Sequence, residues 1–341
     1  MVIIMVKIAI IGCGSITFYR HAPECKKLEN VEITGFYDIN EARAEEFANQ
    51  YGGKAYKSYD EVLCDKNVDA VIICTANKYH CDMTVQALTN GKHVLCEKPI
   101  SVTLDEAQKM VDTAKEQGKI LMIAHSQRYD AVNKKIKEII DSGKLGNIIS
   151  FRTAFGHRGP ETWSADKCNA TWFLNKKEAG LGALGDIGIH KADLIHWLIN
   201  DDIEYITARV ATLDKKLPDG TKIAVEDNAF CILESKSGIT GILEASWTRY
   251  GKDDNFTNIY CENGMIEADS NVEEQIKITM RDGSSESIKV AERDSDMAKT
   301  FAQCIIDNTT PELSGEEGKK ALEIVLKCIE SSESGKRVKV F

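Results

Sequence analysis

Val6-Lys7-Ile8-Ala9-Ile10-Ile11-Gly12-Cys13-Gly14-Ser15 sets a β-branched run directly against a Gly-x-Gly turn. The run predicts a buried strand, Val6 to Ile11, followed by a helix from about Ile16 to Leu28. A second strand, Val31 to Tyr37, then ends at Asp38. Strand, glycine turn, helix, strand and terminal acid form the βαβ unit that binds dinucleotides. Gly12 and Gly14 let the backbone approach a pyrophosphate, and the helix start at Ser15 and Ile16 offers it free N–H groups. Asp38 lies 24 positions after Gly14 (38 − 14), the place of a carboxylate that holds the adenosine ribose hydroxyls. A carboxylate there repels a 2′-phosphate, so NAD is favoured over NADP. Thr17 stands where a third glycine is expected.

Outward from this unit, strands and helices keep alternating. A helix is expected over Ala42 to Gln50 and a short strand over Lys54 to Tyr56. Asp69 to Cys74 is an apolar run suited to a strand covered on both faces, and it ends in Thr75-Ala76-Asn77. A helix from about Tyr79 to Asn90 is expected next, with His80 in its first turn, where it either touches a ligand or caps the helix. The following strand, His93-Val94-Leu95-Cys96, stops at Glu97-Lys98-Pro99. A carboxylate and an ammonium thereby reach the carboxyl edge of the sheet, where open parallel sheets bind ligands. Proline removes a backbone donor and restricts Lys98, and the Lys98–Pro99 bond is a candidate for the cis form. A helix over Leu104 to Gln117, with Ser101 or Thr103 as N-cap and Gly118 as C-cap, leads to a sixth strand, Ile120 to Ala124. The expected fold class is α/β. Residues 1–124 form a doubly wound parallel (Rossmann) domain.

From Ile148 the texture changes. Strand-like runs follow one another without helices: 148–155, 205–213, 229–235, 240–248, 257–262, 265–268 and 275–280. Turns such as Pro218-Asp219-Gly220 and Asp282-Gly283 join several of them. Residues 125–341 are therefore expected to form an α+β domain around a large, mostly antiparallel open sheet. Helices follow Ser295 and Gly315.

Composition narrows the class of function. With 341 residues the chain has room for two cores, and a net charge of −10 argues against a nucleic-acid partner. No stretch approaches the length of a membrane span. The apolar start before Cys13 lacks the basic residues of a secretory signal and is broken by Lys7. Eleven cysteines, an odd number without a Cys-x-x-Cys pair, point to free thiols in a reducing cytoplasm.

Inside the β-rich half lies Gly185-Asp186-Ile187-Gly188-Ile189-His190, opening a helix to Ile199. Asp186 and His190 are four apart and share a helical face. Three readings stand side by side: a helix-terminal acid with a semi-buried histidine, an acid–base pair, and a metal face completed by Asp193.

Taken in order, Gly12-x-Gly14 with Asp38, Thr75-Ala76-Asn77 with His80, Glu97-Lys98-Pro99, Gln127-Arg128 and Gly185-Asp186-x-Gly188-x-His190 resemble the glucose–fructose oxidoreductase/inositol dehydrogenase (Gfo/Idh/MocA) family. The resemblance spans nearly the whole chain. It implies an NAD(P)-dependent dehydrogenase acting on CH–OH groups of sugars, polyols or their derivatives, with Lys98, Asp186 and His190 as catalytic triad. It places Gly12, Gly14, Ser15, Ile16, Asp38, Thr75, Asn77, His80, Glu97, Lys98 and Gln127 around the cofactor. Trp172 resembles an aromatic residue that borders the nicotinamide in some members.

Substrate contacts are expected from Lys98, Asp186 and His190, and from Arg128, His157 and Asn169. With Arg158, Trp163 and Trp172 they suit a polyhydroxylated ring. The expected chemistry is reversible hydride transfer with His190 as base, Lys98 as electrophile and no metal. A homodimer or homotetramer through the second domain's sheet is expected. Two rivals remain: an NAD-dependent glycosidase or lyase working through transient oxidation of a sugar carbon, and a non-catalytic NAD-binding regulator.

Overall fold

The computed structural model describes residues 4–165, 171–269, 272–290 and 295–340. Contacts divide the chain into two units. The first is the chain up to His125, a short stretch starting at Trp163, and Asp296–Lys319; the second takes Ser126–Thr162, most of the chain up to Ser295, and everything from Lys320.

In the first unit, strands β1 (Val6–Ile11), β2 (Val31–Tyr37), β3 (Lys54–Ala55), β4 (Ala70–Ile73), β5 (His93–Cys96) and β6 (Leu121–Ile123) form one parallel sheet. Their order is 3-2-1-4-5-6, with β1 paired to both β2 and β4. This order reverses direction between β1 and β4, and that switch point is where such sheets bind ligands. The β-branched residues of β1 and β4 are buried on both faces, with Ile8, Ile10, Ile72 and Ile73 fully excluded from solvent. Helices Glu41–Tyr51, His80–Thr89 and Leu104–Gln117 match the expected elements. Thr103, not Ser101, caps the last of these: its side chain accepts from the Glu106 amide, and Gly118 closes the helix at φ +59°. A helix over Tyr59–Cys64, absent from the sequence reading, is capped by Ser58. The segment Asp296–Lys319 adds to this unit, with Ile123 N–H bonded to the Leu313 carbonyl at 2.8 Å. Its helix Met297–Asp307 is preceded by Asp296 rather than by the expected Ser295 cap.

The second unit holds a nine-stranded sheet among the described residues. Its strands are β7 (Ile148–Gly156), β8 (Ile203–Ala211), β9 (Asn228–Ser235), β10 (Thr240–Ser246), β11 (Asp254–Cys261), β12 (Gly264–Asp269), β13 (Ile276–Met280), β14 (Ser285–Ile288) and β15 (Val338–Lys339). The order is 14-13-12-11-7-10-9-8-15, antiparallel throughout except where β7 meets β10. The two outermost strands escaped the sequence reading because edge strands bury little. β14 is Ser-Glu-Ser-Ile with three exposed positions, and β15 has two residues. On one face Phe151, Leu233 and Leu243 are buried, while Phe230, Ile232 and Ile242 stay 41%, 45% and 39% exposed on the other. Ile232 and Ile242 sit directly opposite each other across β9 and β10.

Candidate active site

The ligand edge of the first unit is built on a turn that only glycine can make. Gly12 has φ +94°, and a Cβ there would stand 2.6 Å from the Cys74 carbonyl oxygen. Around Gly14, by contrast, a Cβ would meet nothing within 4 Å, so the loop borders open space. The Asp38 carboxylate accepts from the Cys13 amide and the Asn40 amide, both at 2.7 Å. Acid and loop are thereby locked together. Thr17 replaces the third glycine with a hydroxyl that donates to the Gly12 carbonyl at 2.6 Å, and the helix widens into a π turn over Thr17–His21. The Ser15 hydroxyl donates to the Trp163 carbonyl at 3.3 Å.

Beyond β4 and β5 the edge is tied inward. His80 is fully buried, its Nδ1 2.7 Å from the Pro99 carbonyl oxygen and its Nε2 3.0 Å from that of Thr75. Burial pushes its pKa down against the two carbonyl contacts. The ring thus bridges two loops of the edge, and its nitrogens are directed at backbone. Asn77 is buried, and the Thr75 hydroxyl is buried without a hydrogen-bonding partner among the described residues. Such an orphaned group fits a site completed by a ligand.

Glu97 also turns inward. One carboxylate oxygen meets His21 Nε2 at 2.8 Å and the other accepts from the Lys98 amide at 3.2 Å. Burial raises its pKa, but the His21 hydrogen bond and charge, with Lys98 and Arg20, outweigh burial and hold it down at about 2. The Lys98–Pro99 bond is cis.

The second unit carries the carboxylate and the imidazole. Asp186 lies in a π turn, Leu184–Gly188, that runs into the helix Ile189–Ile199 bearing His190. Both residues are buried. π turns insert one extra residue into a helix and recur at functional sites. The helix start is pinned by Glu226, whose carboxylate accepts from the Gly182 and Leu184 amides at 2.8 and 3.2 Å. Its carbonyl accepts from Ala183 at 2.8 Å. Position 182 must be glycine, because a Cβ would lie 1.9 Å from that carbonyl oxygen. Trp247, fully buried, donates its indole N–H to Asp186 Oδ2 at 3.2 Å. The Phe155 ring lies 6.2 Å from that of His190 and 5.9 Å from that of His157.

The other expected contacts are distributed unevenly. Arg128 is buried in a two-point pair with Asp193, at 2.8 and 2.6 Å, so its guanidinium anchors the helix of His190. Both Asp193 oxygens are engaged there, and no group of three metal-ligating side chains occurs among the described residues. Gln127 presents a buried amide oxygen without a hydrogen-bonding partner among the described residues. His157 is half-buried and accepts from the Gly159 amide at 3.0 Å. Trp172 stacks on Phe173 at 3.8 Å. Asn169 lies outside the described residues.

Sequence reasoning missed Trp247, Glu226 and Lys191. Strand alternation could have found the first, since Leu243, Ala245 and Trp247 share the inward parity of β10. Lys191 gave no such signal. It is 2% exposed, its amine 3.4 Å from the Thr257 hydroxyl, and burial pushes its pKa down to about 7 against the pull of Asp130 and Asp269.

Comparison with known proteins finds two family models in the chain. Residues 6–125 match the oxidoreductase family, NAD-binding Rossmann fold (GFO_IDH_MocA), and residues 133–267 match the GFO/IDH/MocA C-terminal domain. A myo-inositol 2-dehydrogenase of Thermotoga maritima is 28% identical over 344 residues, covering 98% of each protein. A glucose-6-phosphate 3-dehydrogenase of Bacillus subtilis is 34% identical over 232 residues; the match spans 66% of this chain and 63% of that protein's length. Among solved structures, an aldose-aldose oxidoreductase from Caulobacter crescentus superposes with a TM-score of 0.87 at 23% identity, over 98% of this chain and 99% of that one. That last likeness bears on the fold alone.

Proposed function

The chain belongs to the Gfo/Idh/MocA family of NAD-binding oxidoreductases, and from that premise we propose that it oxidises a secondary hydroxyl of a sugar, polyol or sugar derivative, reversibly and with NAD. The observation that carries this reading is the buried pair Asp186 and His190 on one helix whose start is clamped by Glu226 and Trp247.

The cofactor is assigned to residues that fit it. The open loop at Gly14, with the amides of Ser15 and Ile16, suits a pyrophosphate, and the orphaned hydroxyl of Thr75 suits a polar ligand atom. Asp38, held by two backbone amides, suits ribose hydroxyls and disfavours a 2′-phosphate. NAD, when bound, supplies the hydride acceptor.

The chain's own residues handle the proton and the charge. His190 takes the hydroxyl proton, because a neutral imidazole works as a base near neutral pH. Lys98 stabilises the oxygen as negative charge grows on it, an effect strengthened where water is excluded. Asp186 orients the imidazole or a neighbouring hydroxyl. Gln127, Trp172, His157 and Asn169 are assigned to ligand contact, whereas the buried pairing of Arg128 favours a supporting role.

Two further assignments accompany this one. The domain boundary is assigned to 124/125, with Asp296–Lys319 returning to the first unit, and the exposed apolar face of Phe230, Ile232 and Ile242 supports a homodimer or homotetramer through the second sheet. The free thiols among the described residues support a cytoplasmic setting. Among the described residues no helix is long and apolar enough to cross a membrane.

The test is a spectrophotometric screen of NAD reduction over inositols, aldoses, glycosides, uronic acids and sugar phosphates. NADH release with at least one polyol is expected. Glycoside cleavage without net NADH would replace the dehydrogenase by a redox-assisted glycosidase or lyase, and inertness toward all of them would overturn the reading.

A further inference from the structure

We propose that Trp247 is a positioning residue for the reaction: its indole N–H holds the Asp186 carboxylate in its working orientation without cancelling its charge. The inference rests on the assignment of Asp186 to the reaction.

The indole sits at the end of a chain of anchors. Trp247 follows β10, and its backbone N–H is bonded to the Asp227 carbonyl at 2.8 Å. The Asp227 side chain, itself fully buried, accepts from the amides of Leu213, Asp214 and Lys215 at 2.7, 2.8 and 2.7 Å. The neighbouring Glu226 grips the start of the helix that carries Asp186. One short segment therefore fixes both the donor and the helix bearing the acceptor.

The choice of side chain is informative. A buried carboxylate needs donors, and a buried indole N–H needs an acceptor. Lysine or arginine in that place would neutralise the acid. Indole supplies one neutral donor in a rigid frame, so the carboxylate keeps its charge while its rotation is restricted. The ring fills the core, and its nitrogen finds its acceptor on the turn that leads into the His190 helix.

Trp247→Phe keeps an aromatic ring and removes the donor. Its kcat, with the inositol or aldose that the parent chain oxidises fastest, is expected to fall about ten- to a hundredfold, the range of one hydrogen bond to a charged group. KM and NAD affinity should change by less than about threefold. In an Asp186→Ala background the same substitution should have little further effect on kcat, because nothing remains to be oriented. An equal loss in both backgrounds would mean that Trp247 only packs, and would overturn the proposal. Parental kcat in Trp247→Phe beside an inactive Asp186→Ala would also overturn it while leaving the oxidoreductase reading intact.

A readout free of turnover covers the case of a poorly folding variant. The chain has four tryptophans, so four indole N–H resonances are expected in a ¹H–¹⁵N spectrum. Asp186→Ala should displace one of them markedly, and no displacement would overturn the proposal. A parent chain that reduces NAD with no polyol would overturn the reading and the kinetic role together, whatever the resonance does.

Discussion

His21 Nε2 lies 2.8 Å from Glu97 Oε1, with the histidine fully buried and the glutamate 7% exposed. The histidine belongs to the widened turn after the glycine loop, and the glutamate precedes Lys98. The pair therefore couples the nucleotide loop to the strand end that presents the lysine.

Removing His21 leaves a buried carboxylate short of its main partner, a change that typically costs about 3–5 kcal/mol. His21→Ala should lose stability on that order in denaturant unfolding, and Glu97→Gln should lose less because the amide can still hydrogen-bond the His21 ring. The folded Glu97 titrates at about 2 against an ordinary 4.5. Its contribution is therefore complete above about pH 4.5 and disappears as pH falls toward 2. In Glu97→Gln the acid limb of stability should be flatter across that window.

Lys191 carries the opposite charge but gives a slope of the same sign, set by burial rather than by pairing. Its amine is held at about 7 in the fold against 10.5 when free, so between those values the unfolded chain binds a proton that the folded chain refuses. Stability from this group is complete above about pH 10.5, declines as pH falls to 7, and levels off below. Lys191→Met should raise unfolding free energy near pH 7 by on the order of a few kcal/mol and remove that slope. Thermal unfolding from pH 7 to 10 measures it; an unchanged slope would reject the buried amine as its source.

For the proposed chemistry, His190→Ala should lower kcat at least about a hundredfold while NAD still binds. Lys98→Met should lower kcat by a comparable factor through the lost cation. Near-normal turnover in either variant would withdraw the role of that side chain.

Asp38→Ser should narrow the preference for NAD, raising kcat/KM with NADP relative to NAD by about tenfold or more as charge repulsion is removed. Affinity for both nucleotides should fall somewhat, because the Cys13 and Asn40 amides lose their acceptor. An unchanged ratio in steady-state kinetics would mean that selection lies elsewhere.

The parallel sheet was readable in advance because its signals are local. β1 and β4 are uninterrupted apolar runs, Gly12 precedes a helix, and Asp38 ends the next strand. The central strands of the second sheet were readable for the same reason, since alternation survives wherever one face is buried. β14 and β15 were not, because edge pairing leaves polar side chains exposed and writes no pattern into the residues. Asp186 and His190 stood out as neighbours on one helix, four residues apart. Their supports did not: Trp247 lies 61 positions from Asp186, and Asp193 lies 65 from Arg128. Burial of Lys191 likewise follows from distant segments, with Phe155 of β7 and Thr257 of β11 beside its amine. Spacing along a chain reports which residues share a turn or a face. Hydrogen bonds across a core arise only when distant segments pack, and packing decided which charged groups look outward and which hold the fold.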